Sequence, residues 1–106
     1  MTIVRGDVYC VWDRALGWRS SRKCRPCVVF SLDGAGGVSV SPRTTHPRDR
    51  STVIASALAD PPFDCAGWLV VIPVPIGESD LLDHKGTCPA RQLAAVAHAA
   101  TPGARP

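Results

Sequence analysis

No stretch of this 106-residue sequence is both long and apolar. The run around Trp68 to Pro75 falls far short of the roughly 20 residues that cross a bilayer. The opening Met1-Thr2-Ile3-Val4-Arg5-Gly6-Asp7 places a charge where a signal peptide would need its apolar core, so a cytoplasmic location is expected. No internal repeat is present. The length has room for one domain, predicted over residues 1–101 with 102–106 as a frayed tail. A second Cys-x-x-Cys is also missing. Cys24-x-x-Cys27 with His84-x-x-x-Cys88 could ligate zinc only as a lesser alternative, and no metal or other cofactor is expected. Five cysteines, an odd number without an export signal, argue against a disulfide framework. Cys10 and Cys27 lie in apolar runs, where a thiol acts as a small hydrophobe. A redox role for Cys24 and Cys27 lacks the thioredoxin-like βαβ context.

What is present is a hydrophobic content of 45%, enough for a compact core, and an uneven charge distribution. The net charge is only +3, but residues 1–50 carry +5 and residues 51–106 carry −2. A basic first half suits one positive face that attracts a phosphate backbone; ordinary surface charge is the plain alternative. Alternation over Ile3–Trp12 reads as a strand. Asp13–Arg25 breaks the pattern as a basic loop. Pro26–Leu32, the Asp33-Gly34-Ala35-Gly36-Gly37 turn and Val38–Ser41 then read as a hairpin. A polar loop covers Pro42–Arg50, and Ser51–Ala59 fits strand or helix. Gly67–Ile76 reads as one strand with an edge or bulge at Pro73 and Pro75, and 77–87 as irregular. A helix is predicted over Ala90–Ala100, N-capped by Thr87 with Pro89 in its first turn. These elements predict a mainly β fold with a C-terminal helix, a small curled sheet or SH3-like barrel.

Three stretches, in order, resemble the MazF/PemK family of toxins. Arg5-Gly6-Asp7-Val8-Tyr9 is similar to the family's opening strand. Arg25-Pro26-Cys27-Val28-Val29-Phe30-Ser31 is similar to the Arg-Pro strand after its first loop. Val40-Ser41-Pro42-Arg43-Thr44-Thr45 is similar to its Pro-x-Thr strand end. The resemblance covers residues 3–46. It implies a MazF/PemK/CcdB-like SH3-like barrel, a homodimer, and the toxin of a type II toxin–antitoxin system. It further implies metal-independent cleavage of single-stranded RNA at short sequences, with neutralisation by a cognate antitoxin. Its recurrent active-site pair falls on Arg25 and Thr44, with Thr45 adjacent.

The chemistry of these residues agrees with that reading. Cleavage through the RNA 2′-hydroxyl leaves a 2′,3′-cyclic phosphate and needs a cation on the phosphate oxygens, which the Arg25 fork can supply. Thr44 can add a hydroxyl hydrogen bond. Both are expected at the surface. His46 has a pKa suited to proton transfer, although a solvent-exposed loop histidine is the blander reading. Arg19, Arg22 and Lys23 in the first loop, with Arg43, Arg48 and Arg50 in the second, could line an RNA groove. Trp18 could stack on a base or lie as a lid on the core. The chain departs from the family in two ways. The loop histidine of some members is replaced by Gly17-Trp18-Arg19-Ser20, and no acid is assigned among Asp64, Asp80 and Asp83. A catalytically silent or protein-targeting barrel, like a gyrase poison, is therefore the alternative function.

Overall fold

A computed structural model describes residues 2–18, 24–44, 53–56 and 67–100. Its seven strands are β1 (Asp7–Trp12), β2 (Cys24–Leu32), β3 (Gly37–Thr44), β4 (Val53–Ser56), β5 (Gly67–Val70), β6 (Val74–Gly77) and β7 (His84–Thr87). One helix, α1, spans Ala90–Ala100. All pairings are antiparallel, in the order β4-β5-β3-β2-β1-β7, with β6 also on β3. Strand β3 belongs to both halves of the curl. Its first half, Gly37–Val40, pairs with β6, and its last residues, Arg43 and Thr44, pair with β5. The Ser41 hydroxyl donates to the Val70 carbonyl where β3 passes from one half to the other. The antiparallel β2–β3 pairing brings the end of β3 beside the start of β2.

The period-two pattern of β1 and β2 divides the core. Tyr9, Val11, Cys27 and Val29 point inward with Leu16, Val38, Val40, Ile76 and Leu81. Val8 and Val28 point the other way, onto Leu69, Cys88 and Val96 of α1, with Leu93 and Phe30 beside them. The Arg-Gly-Asp motif is an architectural device here. Gly6 has φ of 98°, and a Cβ on it would lie 3.3 Å from Leu93 Cδ2. Its amide donates to the Val29 carbonyl at 2.8 Å, and its carbonyl accepts from the Cys88 amide at 2.8 Å. Asp7 accepts the Val4 amide, and Arg5 Nε donates to the Phe30 carbonyl.

Several local expectations are corrected. Gly67–Ile76 is two strands separated by a bend at Val71–Pro73, because Pro73 cannot donate to a ladder and restricts the residue before it. Residues 77–87 are ordered, as a 3₁₀ turn over Glu78–Asp80 and strand β7. Thr87 ends β7 and does not cap α1; the Pro89 carbonyl takes the first helical bonds, from Gln92 and Leu93 amides. The thiol reading is corrected as well: Cys10 is disulfide-bonded to Cys24, with Cα atoms 5.7 Å apart. Strand pairing brings these two side chains together on one face, a proximity that their positions in sequence do not reveal. Of Ser51–Ala59, residues 53–56 form a strand, and the rest lies outside the described residues. No helix among the described residues is long and apolar enough to cross a membrane.

Candidate active site

Arg25 stands second in β2, and its side chain turns inward with Cys27, opposite Val11 of β1. The register that pairs Cys27 with Pro42 puts Thr44 opposite Arg25 when continued by two residues. Arg25 Nη1 donates to the Arg43 carbonyl at 3.1 Å, which ties the start of β2 to the end of β3. Nineteen positions apart in sequence, Arg25 and Thr44 thus converge at one end of the barrel.

Arg25 is not a surface residue, contrary to expectation; it is 9% exposed. The cause is Asp13, which sequence reasoning missed. Asp13 opens a 3₁₀ turn, Asp13–Leu16, directly after β1 and is only 1% exposed. Its two carboxylate oxygens accept from Arg25 Nε at 2.5 Å and Nη2 at 2.8 Å, a bidentate fork. Leu16 anchors the turn in the core, and Gly17 ends it with φ of 78°, a conformation costly for a residue with a Cβ. The chain then reverses, the Trp18 amide donating to the Asp13 carbonyl at 2.9 Å. The Trp18 ring packs against the core edge and covers the Arg25 guanidinium, 4.2 Å from Cζ to the ring centroid.

A guanidinium carries five N–H donors. Asp13 takes two and the Arg43 carbonyl one, which leaves two N–H donors for a further acceptor. Thr44 is half-buried beside it. Arg43 is 5% exposed, so its predicted place on an open groove is also corrected. Its guanidinium lies against Gly67, where a Cβ would come within 2.9 Å of Arg43 Cζ and of the Thr44 carbonyl. Thr45, His46, Arg48 and Arg50, together with Arg19, Arg22 and Lys23, lie outside the described residues. The zinc reading fails on geometry. Cys24 is bonded to Cys10, Cys27 points into the core with its thiol pushed up by burial, and Cys88 packs under α1. His84 sits instead on Tyr9, with ring centroids 5.0 Å apart, and 3.5 Å from Asp7. A carboxylate directly after a valine-rich strand and twelve residues before the arginine was the available signal for Asp13. Nothing local separates it from the other acids.

Together the elements define a class: a small antiparallel barrel closed by a C-terminal helix, the MazF/PemK-type fold expected from the resemblance. Solved structures agree. The chain is similar to an endoribonuclease in complex with its cognate antitoxin from a mycobacterial species, with TM-score 0.68 and 19% identity over 93% of this chain and 91% of that one. It is similar also to a mycobacterial endoribonuclease, with TM-score 0.67 and 18% identity over 94% of this chain and 88% of that one. No protein-family model and no curated protein matches the chain.

Proposed function

We propose that this chain is the toxin of a type II toxin–antitoxin pair, a metal-independent endoribonuclease acting on single-stranded RNA. The observation that carries the reading is the convergence of Arg25 and Thr44, because the two residues singled out by the resemblance meet at one barrel end. The endoribonucleases of like fold support the reaction class, and the antitoxin bound to one of them supports an antitoxin partner. In this reaction the 2′-hydroxyl attacks the adjacent phosphorus, the 5′-oxygen leaves, and a 2′,3′-cyclic phosphate forms. The two remaining Arg25 donors stabilise the charge that grows on the non-bridging oxygens. The Thr44 hydroxyl adds a hydrogen bond to the same phosphate. Asp13 positions the guanidinium. Both its oxygens accept from Arg25.

His46 is the proposed proton carrier, with Thr45 beside it; Arg19, Arg22, Lys23, Arg48 and Arg50 supply phosphate contacts. Arg43 shapes the floor, and Trp18 offers an aromatic edge. The working form is a cytoplasmic homodimer. One observation favours a second reading, a barrel that binds without cleaving: Arg25 is largely covered by Trp18 and engaged by Asp13. A single experiment separates the two. The purified chain is incubated with a long single-stranded RNA in EDTA and the cut ends are mapped. Discrete cuts ending in 2′,3′-cyclic phosphate are expected; intact RNA with folded, antitoxin-free protein would establish the second reading.

A further inference from the structure

Cys10 and Cys24 take no part in the reaction described, and their placement separates them from the other described thiols. Cys27 and Cys88 are buried, and burial pushes both thiols up, Cys88 to about 11. Neither offers a thiolate at neutral pH or an open path to a reagent. Cys10 and Cys24 are only half-buried and are joined to each other. Cys10 lies opposite Pro26 and Cys24 opposite Trp12, so the bridge runs diagonally across the rung between them, Val11 opposite Arg25. That rung and the next are the last before β1 and β2 part. Terminal rungs open most readily, and a cross-link spanning them removes that freedom. Side chains alternate along β2, so the bridge lies on the face away from the Arg25 guanidinium. It can restrain Arg25 without touching a substrate.

We propose that Cys10 and Cys24 form a thiol–disulfide exchange site, taking small thiols and small disulfides, whose oxidised state holds Arg25 in its working position. The effect on activity rests on the reading of Arg25 as the phosphate contact. In the oxidising direction, one cysteine thiolate attacks a small disulfide, forming a mixed disulfide and releasing one small thiol. The second cysteine thiolate then displaces the other. Two S–H bonds and the reagent's S–S bond are exchanged for the protein S–S bond and two small thiols, which carry the two protons. Reduction by two small thiols reverses each step. Oxidised, the Val11–Arg25 rung is fixed and Asp13, two residues beyond Val11, meets the guanidinium at a set distance. Reduced, the rung opens more often and the fork is displaced. Displacements of this kind lower rates steeply.

The test uses the full chain, treated with oxidised glutathione or with dithiothreitol. Three readouts are peptide mapping of the disulfide, hydrogen exchange at the amides of Val11 and Arg25, and RNA cleavage. Oxidation should link Cys10 to Cys24, slow exchange in that rung by at least about tenfold, and speed cleavage roughly tenfold. Cys10→Ser should show the reduced behaviour under both treatments. Unchanged exchange, a different disulfide partner for Cys24, or equal cleavage in the two states would overturn the proposal. Absence of cleavage in both states removes the endoribonuclease reading instead, and exchange then decides alone. A rung slowed by oxidation supports the site, and an unchanged rung overturns it.

Discussion

Two aspartates organise the two ends of β2, and they do it under opposite conditions. Asp33, just past the strand's last residue, is exposed and accepts the Ala35 and Gly37 amides at 2.7 and 2.9 Å. Those amides hold its carboxyl below the usual carboxylate range. Asp13, at the strand's start, is buried and spends both oxygens on the Arg25 fork. Asp33 does the ordinary work of a turn, where water shares the charge and any short acceptor would nearly suffice. Asp13 and Arg25 must instead be stripped of water, a cost that their attraction offsets only when geometry is good. A well-packed apolar pair would stabilise the barrel as well or better. Their meeting at the end of the barrel where Thr44 also arrives fits the proposed role of Arg25 at a phosphate.

The comparison breaks first if the buried pair proves merely structural. Asp13→Ala leaves an uncompensated guanidinium and should cost about 3–5 kcal/mol in urea denaturation. Replacing both partners, Asp13→Leu with Arg25→Leu, should restore most of that stability while abolishing RNA cleavage. Wild-type cleavage by the double variant would reduce the pair to scaffolding. Arg25→Lys keeps the charge but presents a point ammonium in place of a planar fork, so it loses the simultaneous grip on Asp13 and phosphate. Its kcat/KM for RNA should fall roughly 100-fold, with the far-ultraviolet spectrum unchanged. A near-normal rate would show that any cation serves. Gly67→Ala tests the floor of the same end, because its Cβ would fall 2.9 Å from both Arg43 Cζ and the Thr44 carbonyl. We expect a loss of about 1–3 kcal/mol and a parallel drop in cleavage. An unperturbed variant would mean that Arg43 moves freely, and would detach it from the site.

Much of this architecture was legible because it rests on short-range patterns. Alternation over Ile3–Trp12 marked β1, the compact apolar run Pro26–Leu32 marked most of β2 as a strand buried on both faces, and the alanine-rich run marked α1 over Ala90–Ala100. The turn at Asp33–Gly37 could be read from residues that accept positive φ, as Gly34 and Gly36 do. Arg25 and Thr44 were legible only through the resemblance. What could not be read depends on which strands meet. Asp13 becomes the partner of Arg25, and Cys10 the partner of Cys24, through the β1–β2 register, which no local window encodes. Burial of Arg25 and Arg43 escaped notice for a related reason. Charged side chains are counted as surface until a partner is found, and the carboxylate partner of Arg25 lies in the turn after β1. The break at Pro73 was half legible: proline marked the site, but only tertiary pairing shows that the chain crosses from β3's second half to its first.

The smallest effect is expected at the exposed aspartate, and it sharpens the contrast by its modesty. Asp33→Ala removes the acceptor for two turn amides, which water can then solvate, so only a slight fall in Tm should result. Cleavage should stay unchanged, because the turn lies at the other end of β2 from Arg25. The pH dependence has a definite sign. The folded carboxyl titrates below its unfolded counterpart, so its contribution is present in full above the unfolded range, near pH 4. It fades as pH falls through the lower folded value. The wild-type chain and Asp33→Ala should therefore differ in Tm at pH 7 and converge toward pH 2. Asp33→Asn, which keeps an acceptor oxygen without the charge, should recover part of the difference at pH 7 and show none of this fading. If Asp33→Ala instead cost as much as Asp13→Ala, the exposed carboxylate would be holding the whole hairpin in register, and solvent exposure would no longer explain why the two ends of β2 differ.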